Sequence, residues 1–102
     1  PYWLWHNQPV EIVAEYSRAI RRLCEEVGKE PQIWIQVCKI PKGREPEMAR
    51  AIELAAAEGI RNLAAWGFEA CANESWLQCE DPKTAWATAI NAFAKAKAAN
   101  PT

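Results

Sequence analysis

The sequence predicts an α/β fold built from parallel β/α units, the C-terminal part of a (β/α)8 barrel with two complete parallel strands and three helices. Three observations predict it. Segments rich in β-branched and aromatic residues alternate with longer segments of helical periodicity. The β segments are almost uniformly apolar, the pattern of strands covered on both faces. Trp3, Trp34 and Trp66 recur at spacings of 31 and 32 residues, close to the roughly 31 residues that a barrel of about 250 residues allots to each unit.

The elements follow in order. Tyr2-Trp3-Leu4-Trp5 reads as the tail of a strand. Pro9 suits the first turn of a helix, and Glu11 places an anion near its N-terminus. Ile12, Val13, Tyr16, Ile20, Leu23, Cys24 and Val27 then form one apolar stripe, and Gly28 stops the helix. A strand is expected at 33–38, where Ile33, Ile35 and Val37 share one face and Trp34, Gln36 and Cys38 the other. A loop at 39–43 leads to a second helix at 44–58, closed by Gly59. A second strand is expected at 62–68, then a longer loop at 69–80. Asp81-Pro82 is an N-cap followed by a first-turn proline, opening a last helix at 82–98.

Two strands and a stub cannot close a barrel or cover their own faces. Residues 1–102 are therefore expected to form a single partial barrel domain, the C-terminal fragment of a larger barrel. Such a piece needs upstream strands, or self-association through exposed sheet edges. A small doubly wound α/β sheet shares every local signal and is the alternative; it places helices on both faces.

Composition excludes several functions. Twelve Lys and Arg against thirteen Asp and Glu leave a net charge of −1, and the basic residues are scattered, so no nucleic-acid partner is expected. No apolar run approaches the ~20 residues of a membrane span, and no membrane partner is expected. Four cysteines without a CxxC pair and a single histidine give no zinc spacing, so neither metal nor cofactor is expected. Cys71 and Cys79 bracket a short loop and have two readings, a disulfide or buried thiols; the second is favoured. Nothing assigns a compartment.

In barrels, function gathers at the C-terminal ends of the strands. The first end offers Trp5 and His6, the second Gln36 and Lys39, and the third Trp66, Phe68 and Glu69, with Asn73, Glu74 and Trp76 in the loop behind. An indole at a barrel mouth stacks on a sugar ring or plugs the core. Gln36 bonds a ligand or its neighbouring strands. His6 is a ligand contact, an acid/base group, or a plain loop residue. Glu69 is the best-placed catalytic carboxylate. Glycoside hydrolysis normally needs two, and Glu74 becomes the second only if the long loop folds back over the mouth. Lys39, Lys42 and Arg44 could meet a phosphate, although their loop matches no established phosphate motif.

Three segments carry a resemblance: Trp34-Ile35-Gln36, Ile40-Pro41-Lys42-Gly43-Arg44-Glu45 and Ala64-Ala65-Trp66-Gly67-Phe68. They resemble the closing units of bacterial glycoside-hydrolase-like TIM-barrel proteins, which implies a carbohydrate substrate and an aromatic-lined mouth. In the large clan of retaining glycosidases a glutamate nucleophile ends the seventh strand and a tryptophan often follows on the eighth. Trp66 matches that tryptophan, whereas Gln36-Val37-Cys38-Lys39 offers no glutamate. The expectation is a fragment of a carbohydrate-active barrel that supplies substrate-binding residues but not a full catalytic pair. The alternatives are a non-catalytic interaction module and a barrel enzyme acting on a phosphorylated metabolite.

Overall fold

The computed structural model describes residues 2–73 and 76–99. The chain is mixed α/β: α1 (Ile12–Val27), β1 (Gln32–Gln36), α2 (Pro46–Ala57), β2 (Asn62–Trp66), a short 3-10 turn (Phe68–Cys71) and α3 (Pro82–Ala99). β1 and β2 pair in parallel, Gln32 opposite Asn62 through Gln36 opposite Trp66. A parallel pair requires a crossover, and α2 supplies it.

The helix boundaries follow from local chemistry. α1 begins three residues after Pro9, because residues 9–14 first wind through tighter bonds: Ile12 N–H to Pro9 O, Val13 to Val10 and Ala14 to Glu11. It ends at Gly28, whose left-handed backbone (φ 68°) turns its N–H onto the Cys24 carbonyl. α2 starts at Pro46 rather than at 44, because the Glu45 carboxylate folds back to accept the Gly43 N–H. Asp81 caps α3 through the Thr84 N–H and hydroxyl.

The core lies on the Ile33, Ile35 and Val37 side of β1. There these residues meet Met48, Ala51, Ile52 and Ala55 of α2 and Ala85, Ala89 and Ala92 of α3. Alanine on the facing sides of α2 and α3 lets the two helices pack closely, and α1 packs against α2 as well. The opposite face is open at Trp34, 45% exposed, but covered at Gln36 and Cys38, both fully buried. Ile33, Ile35 and Val37 thus share the core face as the alternation implies, while the other face is covered only toward the end of the strand. Arg18 and Arg21 of α1 reach the Glu58 carboxylate at the end of α2, a surface link of modest value.

Three expectations need correction. Residues 2–5 are not the tail of a strand. They enter a turn in which the N–H groups of His6, Asn7 and Gln8 bond the carbonyls of Tyr2, Leu4 and Trp3. Trp3 becomes a core plug, 1% exposed, with its indole N–H donated to Glu47 at 3.1 Å; burying the ring and satisfying its one donor outweighs extension along a sheet edge. The tryptophan period does not mark equivalent sheet positions either. Trp34 faces Ala64 and Trp66 faces Gln36, so Trp66 lies two residues farther along its strand. Finally, the apolar stripe of α1 is only partly covered. Val13 is buried and Ile12 and Ile20 pack against the core, while Tyr16, Leu23 and Val27 are each more than half exposed.

Candidate functional site

Both strands stop where the backbone turns left-handed. After β1, Lys39 has φ 54°; after β2, Gly67 has φ 119°. Gly67 is dictated by space as well as by φ, since a Cβ there would stand 2.3 Å from the Val37 carbonyl oxygen. Glu69, Ala70 and Cys71 follow with φ of 50°, 57° and 57°. Three consecutive left-handed non-glycine residues are strained, by about 1–2 kcal/mol each. Burial of Ala70 and Cys71 holds the turn, as do bonds from Ala70 N–H to Gly67 O and from Cys79 N–H to Ala70 O. Backbone strain of this kind concentrates at functional sites.

The long loop folds back onto the end of β1. The Lys39 N–H donates to the Leu77 carbonyl and the Glu80 N–H to the Ile40 carbonyl, while the Glu80 carboxylate accepts the Lys42 N–H. Glu74, the hypothetical second carboxylate, lies outside the described residues. Beneath the loop, Cys38, Cys71 and Cys79 are buried as thiols, in keeping with the buried-thiol reading. Burial pushes the Cys38 thiol up to about 12, and the neighbouring Cys71 and Cys79 add to the rise. Burial likewise raises Cys79. Raised in this way, Cys38 and Cys79 favour the neutral thiol.

The fold-back assembles an aromatic array at the strand ends. Trp66 meets Tyr2 edge-on at 6.2 Å, Tyr2 meets Trp5 at 6.3 Å, and Trp5 meets Trp76 edge-on at 5.8 Å. The Lys39 ammonium lies over both outer indoles, 5.0 Å from the Trp5 ring and 5.2 Å from the Trp76 ring. Trp5 and Trp76 remain 41% and 63% exposed. Among the described residues no carboxylate forms an ion pair with Lys39.

The sequence-predicted residues separate into three groups. Trp5, Lys39 and Trp66 come together in the array. Glu69 and Phe68 line a neighbouring hollow of about 440 Å³ together with Trp66, Asn73 and Leu77; the Phe68 ring also stacks edge-on against Trp86 of α3. Gln36 and His6 lie elsewhere. Gln36 is fully buried; its amide oxygen accepts the Trp5 N–H at 3.3 Å and its amide nitrogen donates to the Cys38 carbonyl at 2.7 Å. It clips the N-terminal segment to β1 and so positions Trp5. His6 is exposed and lines a cleft of about 710 Å³ between α1 and the outer edge of β1. Tyr2 and Trp76 complete the array without having been singled out as ligand contacts. Their signal was an aromatic at each end of segments that local periodicity leaves unplaced.

Of the three basic residues near the loop, Arg44 is engaged by Glu47 through two guanidinium nitrogens, which holds the Glu47 carboxyl below its usual range. No group of three or more potential metal ligands occurs among the described residues. No family model, curated protein or solved structure matches the chain.

Proposed function

We propose that the chain forms part of a carbohydrate-binding mouth at the C-terminal ends of parallel β/α strands. In this reading Trp5, Trp66, Trp76 and Tyr2 supply ring-stacking surface, Lys39 a charged contact, and Glu69 one carboxylate at the rim. Glu69 by itself is half of what glycoside hydrolysis normally requires, so the role is substrate binding without a full catalytic pair. The observation that carries the proposal is the run of four rings across two strand ends, with two exposed indoles around one ammonium. An exposed aromatic surface held in place by backbone bonds is what a sugar ring stacks upon, and it is poorly explained as core packing.

The wider proposal is that these units belong to a larger barrel-type sheet, with a further parallel strand in the cleft between α1 and β1. Since the Val37 N–H points to Trp66 O, strand alternation turns the backbone groups of Gln32 and Trp34 to the outer edge. Ile12, Tyr16 and Ile20 of α1 wall that edge, and among the described residues no Lys, Arg, Asp or Glu lines the cleft. An unprotected, uncharged edge under an apolar helix face suits an added strand.

A second reading, a protein-interaction module, draws on the exposed Tyr16, Leu23 and Val27 of α1. Calorimetric titration with a panel of neutral and acidic oligosaccharides separates the two. Sugar binding that falls tenfold or more in Trp76→Ala and Trp5→Ala, as for a central aromatic contact, supports the first. No saccharide bound at millimolar concentration, with concentration-dependent association abolished by Leu23→Lys, supports the second.

A further inference from the structure

The placement of Lys39 narrows the class of sugar. We infer that the mouth selects a saccharide carrying a carboxylate, a uronate, with the Lys39 ammonium as its anion contact. The inference rests on the carbohydrate-binding reading above and adds the charge of the ligand to it.

Four observations lead there. First, Lys39 is fixed at its base. Its backbone is left-handed and its N–H is bonded to Leu77 O, which fixes where the side chain leaves the loop. Second, the ammonium lies about equally far from two indole rings, 5.0 Å and 5.2 Å. Ring quadrupoles attract a cation but do not neutralise it, and Lys39 stays exposed, open to an arriving anion. Third, no described carboxylate pairs with Lys39, whereas four arginines are paired: Arg18 with Glu58, Arg21 with Glu25, Arg44 with Glu47 and Arg50 with Glu53. Its charge is left for something else. Fourth, of the other cations at the adjoining loop Arg44 is held by Glu47, and Lys42 lies over no ring of the array among the described residues, so Lys39 is the one ammonium at the indoles. A single ammonium over the rings matches the single charge of a carboxylate. A phosphate ester, with up to two charges and three acceptor oxygens, calls for more donors than this.

The indoles and the ammonium then act on different parts of one ligand. Trp5 and Trp76 stand at 74° to each other with the Lys39 ammonium over both rings, so a pyranose stacked on either indole lies beside the ammonium. A neutral hydroxymethyl group there leaves the ammonium unpaired; a carboxylate completes it.

The test uses the full chain and two ligands that differ only in charge, an oligogalacturonate and its methyl ester, titrated calorimetrically at low salt, with glucose 6-phosphate as a third arm. The expected result is an acid form bound at least tenfold more tightly than its ester, a preference that shrinks as 0.5 M salt screens the contact, and glucose 6-phosphate no tighter than the ester. Lys39→Met, which keeps the apolar stem, is expected to erase the preference by weakening the acid form at least tenfold more than the ester. Equal affinity for acid and ester, or a preference that survives Lys39→Met, would overturn the uronate inference and leave sugar binding standing. Tighter binding of glucose 6-phosphate than of the galacturonate would replace the carboxylate by a phosphate. Failure of all three ligands, together with failure of the neutral panel, would overturn the sugar reading itself.

Discussion

Replacing Gly67 with alanine tests whether the site is held by the backbone arrangement described above. An alanine at φ 119° enters a region that L residues avoid, at about 1–3 kcal/mol. Its Cβ would stand 2.3 Å from Val37 O, 2.9 Å from Val37 C and 3.0 Å from Cys71 Sγ. Two of those atoms are backbone of the strand end, so relief requires parting the ends of β1 and β2. That endangers the bond from Val37 N–H to Trp66 O, 2.9 Å long and worth about 1 kcal/mol. Together the loss is about 3 kcal/mol, a large fraction of the 5–15 kcal/mol typical of a domain. Gly43→Ala is the control: φ is 92° but nothing lies within 4 Å of its Cβ, so only the conformational term applies. Urea unfolding followed by far-UV circular dichroism compares the two. Gly67→Ala is expected to lose at least 1 kcal/mol more than Gly43→Ala. Equal losses, or a Gly67→Ala variant within about 0.5 kcal/mol of the parent, would refute the close approach of the strand ends.

Other consequences follow from the same geometry. Gln36→Leu removes the partner of the buried Cys38 carbonyl and frees the Trp5 N–H; a loss of about 1–3 kcal/mol is expected, with a red shift of tryptophan emission as the N-terminal segment loosens, and unchanged stability would dismiss the clip. A thiol reagent at pH 8 is expected to label the partly exposed Cys24 quickly and Cys38, Cys71 and Cys79 only on unfolding; rapid labelling of more than one thiol in the native protein contradicts the buried cluster. Acid should destabilise. Hydrogen bonds from Arg44 to Glu47, from Arg18 to Glu58 and from Thr84 to Asp81 hold these carboxyls below their ordinary values of 4.5, 4.5 and 3.8. Groups whose folded values are depressed contribute stability that is present above the ordinary value and lost as pH falls through the folded one. Thermal midpoints should therefore be level from pH 7 to 5 and decline below about 4.5, less steeply in Glu47→Gln; a flat profile down to pH 3 would rule this out.

Much of the fold was legible in the sequence because local rules and tertiary packing agree. Gly28 at the end of α1, Pro46 at the start of α2 and the Asp81 cap of α3 act within one turn of themselves, and alternation along β1 sorts Ile33 and Ile35 from Trp34. The N-terminal segment was misread because an aromatic run has the composition of a strand, while its fate is decided by a contact 44 residues away, between Trp3 and Glu47. The tryptophan period carried less than it promised: one of the three rings plugs the core, one is exposed in mid-strand and one ends its strand. At the candidate site, periodicity located the strand ends and thus Trp5, Lys39 and Trp66. It could not bring Trp76 to them, because that depends on the loop folding back through Lys39 and Leu77, a backbone bond with no sequence signature. Nor could it show that Gln36 is satisfied internally.

The central claim is that one face of the molecule, the ring array at the strand ends, meets the sugar. Six indole N–H resonances report on it residue by residue in a heteronuclear NMR titration with oligogalacturonate, one for each tryptophan of the chain. The account predicts that Trp5, Trp66 and Trp76 shift together while Trp3, held in the core by Glu47, and Trp34 and Trp86, which no ring contact among the described residues joins to the array, shift less. Shifts confined to Trp34 or Trp86, or an unmoved spectrum at saturating ligand, would contradict it.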